Sequence, residues 1–220
     1  MLGDFRIEHD SASVELGAKA PTRALDILRM LAVSKDHACS LESLQDALWP
    51  DLDGDQAKAA CEQALHRLRK LLGAGELIAQ REGRLRLSTD RVWVDLADWE
   101  VRLQQLSNAD PAEAAQRAQL ERLFRDFSGP VLFRGQASTW AQPVAERLQN
   151  KFVELALRLG TQCEARGDGR SAQGYYLRAL EIFPQSARLS HALIRARLAQ
   201  GDKAGAIDEY SRYERMLKAA

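Results

Sequence analysis

Residues 41–87 read LESLQDALWPDLDGDQAKAACEQALHRLRKLLGAGELIAQREGRLRL. This stretch decides the fold of the N-terminal half of the chain. Apolar residues at helical spacing predict a short helix over 41–48, for which Ser40 is the expected N-cap. A polar turn follows, and in it Asp55 is the expected N-cap of the next helix.

A longer helix with basic residues is predicted over 57–72 from its apolar periodicity. Gly73 and Gly75 follow it and are expected to end it. Beyond it, residues 77–80 and 84–87 flank a Gly-bearing turn and predict a β-hairpin. A supporting helix, a second helix that can lie in the major groove and an adjacent hairpin form the order of a winged helix-turn-helix.

The helix over 57–72 presents a polar face opposite its apolar face when it is projected at about 100° per residue. Gln63 can pair bidentately with adenine, and Arg67 can pair with guanine. Lys58 and Arg69 lie near the edge of the apolar face, where they suit phosphates better than bases. On the hairpin, strand alternation places the arginines on an exposed face, which suits phosphate contact or insertion into a narrow minor groove. The candidate DNA-binding residues are Lys58, Gln63, His66, Arg67, Arg69, Lys70, Arg81, Arg84 and Arg86.

The whole chain carries no net charge, with 31 basic and 31 acidic residues. Residues 1–100 hold 13 Lys/Arg and 18 Asp/Glu, which gives them a net charge of −5. Residues 55–91 are a local exception, since 8 basic and 5 acidic residues give +3. A basic patch on an acidic body predicts modest DNA affinity that decreases steeply with added salt.

Other features of the 220 residues exclude several classes of protein. No apolar run is long enough for a transmembrane helix, and the N-terminus lacks the pattern of a signal peptide. The three cysteines are far apart, which suits reduced, buried thiols, so we expect a cytoplasmic protein. The chain has no Gly-rich phosphate loop, nucleophile elbow or Ser/His/Asp constellation, so we expect no catalysis, cofactor or metal.

One acidic turn matches part of a calcium-loop pattern. Asp51, Asp53, Asp55 and Glu62 fall at positions 1, 3, 5 and 12 of that pattern. Gln56 stands where the loop requires Gly, and the segment after it is predicted as helix. A helix-capping turn is therefore the favoured interpretation.

The second half of the chain contains an internal repeat. Residues 165–168, Ala-Arg-Gly-Asp, recur as Ala-Gln-Gly-Asp at 199–202, a spacing of 34 residues. Tyr176 corresponds to Tyr210 in the same register, whereas the second copy has Ile194 where the motif prefers Gly. A 34-residue period of helix, Gly-Asp turn and helix predicts two tetratricopeptide-like repeats.

These signals predict a mainly α-helical protein of two domains. Residues 1–95 form a winged helix-turn-helix with short β-strands, and residues 96–220 form an all-α tetratricopeptide-like helical domain. Trp49 and Trp140 are expected as core anchors of these two domains respectively. The further predicted elements are strands within 4–16 with a turn at His9–Ser11, a helix that opens at Pro21-Thr22, and helices near 98–107, 112–127 and 138–150.

Particular segments carry a family resemblance. In the first half these are Leu2–Ile7, Leu44–Trp49, Leu65–Gly73 and Val94–Leu96. With them, residues 2–100 resemble the winged-helix domain of OmpR/PhoB-type regulators, in the version of the Streptomyces antibiotic regulatory proteins. In the second half the segments are Phe127–Leu132, Trp140-Ala141, Glu146–Leu148 and the repeats. Through these, the rest of the chain resembles the bacterial transcriptional activator domain that follows the winged helix in that family.

The resemblance implies a sequence-specific, DNA-binding transcriptional regulator. The helix over 57–72 would enter the major groove, the wing near 81–86 would contact the DNA, and the helical domain would contact proteins or regulate activity. The implied partners are double-stranded DNA, RNA polymerase or another regulatory protein, and a second copy of the chain in a homodimer on DNA, with no membrane. One departure concerns the wing, where the family reads Gly-Tyr before the last strand and this chain reads Gly83-Arg84.

A second interpretation stays open, a protein-interaction adaptor whose winged helix no longer binds DNA. The net charge of residues 1–100 supports it, as do Glu62 and Glu82 beside the expected contact surfaces. In addition, the sequence shows no receiver or ATPase segment, and Leu2 already belongs to the first predicted strand. This pattern favours a fragment of a longer regulator.

Overall fold

The computed structural model describes residues 2, 5–9, 12–14, 21–73, 75–108, 113–129 and 140–219. These residues divide into two compact units, one within Met1–Glu100 and Pro130–Ala145 and the other within Val101–Gly129 and Glu146–Ala220. The first unit combines helices with small antiparallel sheets, and the second contains helices only among its described residues. The predicted fold class, a winged helix-turn-helix followed by an all-α tetratricopeptide-like region, is confirmed.

The first unit begins with a short β-ribbon and a helix. Strand β1, Glu8–His9, pairs antiparallel with β2, Ala12–Ser13. Helix α1 spans Thr22–Val33, directly after Pro21 as predicted. The ends of the predicted 4–16 strand region, at residues 4 and 15–16, and the turn residues 10 and 11 lie outside the described residues.

Two capped helices form the helix-turn-helix. Helix α2 spans Leu41–Leu48, and the Ser40 side chain accepts a hydrogen bond from the Ser43 backbone N–H at 3.0 Å, as predicted. Helix α3 spans Gly54–Leu72 and ends at Gly73, whose left-handed backbone has φ 69°.

The predicted start of α3 is wrong. Its N-cap is Asp53, whose carboxylate accepts a hydrogen bond from the Gln56 N–H at 2.9 Å. Asp55 therefore lies inside the first helical turn, where a carboxylate interacts favourably with the positive end of the helix dipole. Several aspartates in one turn offer competing caps, and only the backbone path decides between them.

This correction can be tested by stability measurements. Asp53→Ala removes the cap and should lower the free energy of unfolding by about 1 kcal/mol. Asp55→Ala removes only a dipole interaction and should cost about 0.3–0.5 kcal/mol. Urea unfolding followed by circular dichroism compares the two variants with the parent protein. An equal or larger loss for Asp55→Ala would contradict the assignment of the cap.

The sheet of the first unit has three antiparallel strands. They are β3, Ala38–Ser40, β4, Ile78–Arg81, and β5, Arg84–Leu87, in the order β3-β5-β4. The hairpin turn contains only Glu82 and Gly83, both with positive φ, 48° and 72°. This pair of conformations is typical of tight two-residue hairpin turns, in which Gly is favoured. Strand β3 was not predicted, because its three residues are too few to show the alternation of apolar and polar side chains that identifies a strand.

The core of the first unit lies between the three helices and the sheet. Trp49 and Trp140 are half-buried and both pack against it. The expectation that Trp140 anchors the helical domain is therefore wrong, since it packs against the first unit. The buried residues of this core include Ile27, Leu31, Leu44, Leu48, Cys61, Leu65, Leu68, Ile78, Leu85 and Leu87.

The remaining helices are α4, Asp95–Gln105, α5, Ala114–Asp126, α6, Gln142–Ala165, α7, Gly169–Ile182, α8, Ala187–Ala199, and α9, Lys203–Ala219. They include the three helices predicted near 98–107, 112–127 and 138–150, although residues 112, 138 and 139 lie outside the described residues. In the second unit, the Phe152 ring stacks on Phe124 at 5.0 Å and on Phe127 at 4.4 Å between centroids. No described helix has the length and apolar composition that crossing a membrane requires.

The predicted repeat is visible in the backbone. Gly167 and Gly201 adopt the left-handed conformation with φ 78° and 76°. Each is followed by an aspartate that caps the next helix: Asp168 accepts the Ser171 N–H at 3.1 Å, and Asp202 accepts the Gly205 N–H at 2.9 Å. Equivalent residues thus make equivalent turns between α6 and α7 and between α8 and α9.

Candidate nucleic-acid interface

Helix α3 buries one face in the core of the first unit and leaves the other exposed. The exposed residues include five of the six predicted on this helix: Lys58, Gln63, His66, Arg67 and Lys70. In the part of the chain that the structure describes, these five side chains make no hydrogen bond or ion pair with a protein group. They are therefore free to contact a ligand.

Arg69 differs from the other predicted residues of α3. It is half-buried, and its guanidinium donates a hydrogen bond to the Ile78 carbonyl oxygen at 3.4 Å. This contact ties α3 to strand β4. Arg69 thus has a structural role, and only its remaining donors can meet a phosphate.

The two residues predicted to read bases lie on the flank of α3 that faces α1. Gln63 and Arg67 line a shallow groove of about 220 Å³ together with Trp49 and the first turn of α1. Arg23 also lines this groove, with its guanidinium carbon 6.0 Å from the centroid of the Trp49 ring. Arg23 is not among the candidate residues predicted from the sequence. The one signal that could have pointed to it is its position in the first turn of the helix that opens at Pro21-Thr22.

The hairpin carries the second group of predicted residues. Leu85 and Leu87 are buried in the core, so Arg84 and Arg86 project from the opposite, exposed face of β5, as strand alternation predicts for the arginines. Arg81 on β4 is directly opposite Arg84 in the antiparallel register and is exposed as well. The sheet therefore brings three of the predicted arginines onto one face.

This arginine face is electrostatically unusual. Like charges directly opposite on neighbouring strands repel each other, yet no carboxylate within the described ranges forms an ion pair with Arg81, Arg84 or Arg86. Their neighbours on the same face are small, since Ser40 is paired with Arg84 and Ala38 with Arg86 on β3. A row of unneutralised cations over small side chains is suited to a polyanion.

Negatively charged side chains lie close in sequence to these basic residues. Glu62 on α3 and Glu82 in the hairpin turn are exposed, as are the carboxylates of α2, of the turn before α3 and of the first turn of α3. That second group consists of Glu42, Asp46, Asp51, Asp53 and Asp55. The basic surface of the first unit is therefore limited to the exposed cations of α3 and of the hairpin.

The cysteines of this unit show no sign of reactivity. Burial raises the pKa of the Cys39 thiol, and the positive charge of Arg84 opposes this only in part. Burial also raises the pKa of the Cys61 thiol, and Glu62 adds to the shift. Both thiols are therefore protonated at neutral pH, whereas a nucleophilic cysteine requires the thiolate. No group of His, Cys, Asp or Glu side chains suited to a metal ion occurs among the described residues.

Residues 94–220 match the bacterial transcriptional activator domain. The chain belongs to this family. The match covers more than half of the chain.

The fold also resembles a solved structure, "Mycobacterium tuberculosis EmbR in complex with low affinity phosphopeptide". The TM-score is 0.73 and the sequence identity is 22%, so the likeness concerns the fold. It covers 98% of this chain and 58% of the EmbR chain. No curated protein sequence matches the chain.

Proposed function

We propose that the chain is a transcriptional regulator that binds double-stranded DNA in a sequence-specific manner. In this proposal, residues 1–95 are the DNA-binding domain, and residues 96–220 form the domain that contacts RNA polymerase or another regulatory protein. The observation that carries the proposal is the set of unpaired cations on two adjacent elements, the exposed face of α3 and the arginine face of the hairpin. No catalytic step is part of it.

The roles of the residues follow from their positions. Gln63 and Arg67 reach base edges in the major groove, because amide and guanidinium groups can bond bidentately to adenine and guanine. His66 and Lys70 lie near the middle of the exposed face of α3, by helical projection, and add contacts to bases or to phosphates. Lys58 and the free donors of Arg69 lie on the flank nearer the hairpin and contact phosphates.

The hairpin completes the interface as the wing. Arg81, Arg84 and Arg86 contact the phosphate backbone or enter a narrow minor groove, whose negative potential attracts arginine. The chain has Arg84 where the resembled family has an aromatic residue. An additional cation at that position favours phosphate contact over packing.

Binding by such a local patch depends strongly on salt. Each neutralised phosphate lowers the logarithm of the affinity by about 0.9 per tenfold increase in salt concentration. Fluorescence anisotropy with random duplex DNA over a range of salt concentrations measures this slope. A specific site for the same assay comes from selection out of a library of random duplexes.

Two substitutions on α3 separate base reading from phosphate contact. Arg67→Ala should weaken binding to the selected site by about 1–3 kcal/mol, with a smaller effect on random DNA. Lys70→Ala should weaken both by a similar factor and lower the salt slope by about 1. Arg170→Ala, an exposed arginine of the second unit, is the control for a lost charge. Equal effects of Arg67→Ala and Lys70→Ala on both duplexes would contradict the assigned roles.

The exposed carboxylates of α2 and of the following turn favour a second candidate, an adaptor whose winged helix no longer binds DNA. Negative side chains beside the expected contact surface repel phosphates. The same anisotropy measurement distinguishes the two functions. Absence of binding to any duplex at low salt, or binding without a salt slope, would favour the adaptor and exclude the regulator proposal.

A further inference from the structure

The groove between α1 and α3 contains more positive charge than the reading of bases requires. Among the described residues that line it, two are arginines, Arg23 from α1 and Arg67 from α3, and none is acidic. Alanines from both helices form part of the remaining lining, so a ligand can approach the helices closely there. Residues 1–100 carry a net charge of −5, and within them this groove is a local exception that is suited to an anion.

The positive charge of Arg23 exceeds what its protein partner neutralises. Arg23 pairs with Asp26, one turn further along α1, at 3.9 Å between Nη1 and Oδ2. Asp26 is buried and makes a much closer pair with Arg29, at 2.8 Å between Nη1 and Oδ1. One carboxylate thus serves two arginines. The more exposed of them is Arg23, with 51% of its side chain accessible against 22% for Arg29, so the unbalanced charge lies at the groove.

Trp49 supports the Arg23 side chain. The guanidinium carbon lies 6.0 Å from the centroid of the indole ring, at the outer limit of a cation–π contact. Trp49 directly follows α2 and packs half-buried against the core of the first unit, so its ring is a fixed support. A guanidinium beside an aromatic ring keeps its N–H donors for oxygen acceptors. Arg23 is thus placed to bind a ligand with both its charge and its donors.

The two flanks of α3 face different directions. On one flank Arg69 bonds to Ile78 of the hairpin, and on the other Arg67 lines the groove, about 160° away by helical projection. A helix with its side chains is about 10–12 Å across, and the major groove of DNA is about 12 Å wide. An α3 inserted into that groove therefore brings each flank close to the phosphates of one strand. The hairpin arginines face the first strand, and Arg23 faces the second.

We propose that Arg23 binds a backbone phosphate of the DNA strand on the α1 flank of α3, opposite the strand that the hairpin contacts. A phosphate oxygen pair can accept two parallel hydrogen bonds from one guanidinium. The contact holds α3 in the major groove from both sides and keeps Gln63 and Arg67 in register with the base edges, although it reads no sequence itself. This inference rests on the proposed DNA binding and adds the second strand to it.

Substitutions at position 23 measure the contact. Arg23→Ala should weaken binding to the selected site and to random duplex alike, by about fivefold at roughly 0.1 M salt, and lower the salt slope by about 0.9. Arg23→Lys keeps the charge but loses the guanidinium fork, so it should recover part of the affinity. Fluorescence anisotropy provides these values, and circular dichroism verifies that the variants are folded.

The matched control removes a positive charge at the other end of α1. Lys35 is exposed and follows that helix, about 18 Å from Arg23 along its axis. Lys35→Ala should change the affinity by less than about twofold. Equal losses in Arg23→Ala and Lys35→Ala would mean that only the overall charge of the unit matters, and would overturn the proposal.

Neutral methylphosphonate groups locate the contact on the DNA. They replace single phosphates of the selected duplex, one strand at a time, and the affinity of each duplex is measured for the parent protein and for two variants. At one position the parent should lose about fivefold, whereas Arg23→Ala should lose less than about twofold because its contact is already absent. Arg84→Ala should remain sensitive at that position and become insensitive at a position on the other strand.

The outcomes distinguish this inference from the function on which it rests. If Arg23→Ala keeps the sensitivity of the parent at every phosphate, or if both variants lose sensitivity on the same strand, the assignment of Arg23 fails while DNA binding stands. A parent protein that binds no duplex at low salt would exclude the proposed function, and this contact with it.

Discussion

Simultaneous replacement of Arg81, Arg84 and Arg86 by alanine should weaken binding to any duplex by about 100-fold at roughly 0.1 M salt. The expectation follows from the register of the hairpin, which places the three guanidinium groups on one exposed face. Each lost phosphate contact removes about 0.9 from the salt slope, so the triple variant should lose about 2.7. Fluorescence anisotropy on random duplex DNA at several salt concentrations measures both quantities.

The control must lose the same charge elsewhere. Arg122, Arg170 and Arg215 are exposed arginines of the second unit, and their triple replacement by alanine changes the net charge equally. That variant should keep the salt slope of the parent and lose only a small part of the affinity. Equal losses in the two triple variants would mean that overall charge, and not the arginine face, determines binding. An unchanged affinity in the hairpin variant would contradict a wing that contacts DNA.

The parts of the fold that follow from local sequence were predicted correctly. Alternation along β5 was sufficient to place Arg84 and Arg86 together on one face, opposite Leu85 and Leu87, because strand side chains alternate between faces. The 34-residue recurrence likewise located both Gly-Asp turns, since left-handed glycine and an aspartate cap are local requirements. Such features need no knowledge of the remaining chain.

The errors concern choices that distant parts of the chain decide. Asp53 and Asp55 are equally good caps by composition, and the path of the backbone out of α2 selects the first. Strand β3 exists because β5 pairs with it, a contact across more than 40 residues of sequence. Trp140 lies in a part of the sequence whose composition predicts helices, but it packs against the core of the first unit. None of these outcomes is encoded within a window of ten residues.

The candidate interface shows the same division. Exposure of Gln63 and Arg67 follows from helical periodicity, but their position in a groove with Trp49 and Arg23 depends on how α1 packs against α3. Arg69 was grouped with the phosphate contacts, yet it also bonds to Ile78, a residue of the sheet. Sequence periodicity identifies which side chains are exposed, whereas the contacts of partly buried ones depend on tertiary packing.

Gly160→Ala should destabilise the second unit by about 2 kcal/mol, although alanine is the better helix former. A Cβ at position 160 would overlap the ring of Tyr176, which is fully buried and cannot move aside without disturbing the core. The clash therefore outweighs the gain in helix propensity of about 1 kcal/mol. Gly174→Ala is the matched control, because a Cβ there meets no atom within 4 Å. That substitution should raise stability by about 0.5–1 kcal/mol.

A double-mutant cycle distinguishes this clash from a general intolerance of position 160. Tyr176→Leu removes the outer part of the ring, so Gly160→Ala in that background should become stabilising by about 0.5–1 kcal/mol. The sign of the effect thus reverses, with a coupling free energy of about 2.5–3 kcal/mol between the two positions. Urea unfolding of the four proteins, followed by circular dichroism, provides the cycle. If Gly160→Ala is equally destabilising in both backgrounds, the ring is not what requires glycine.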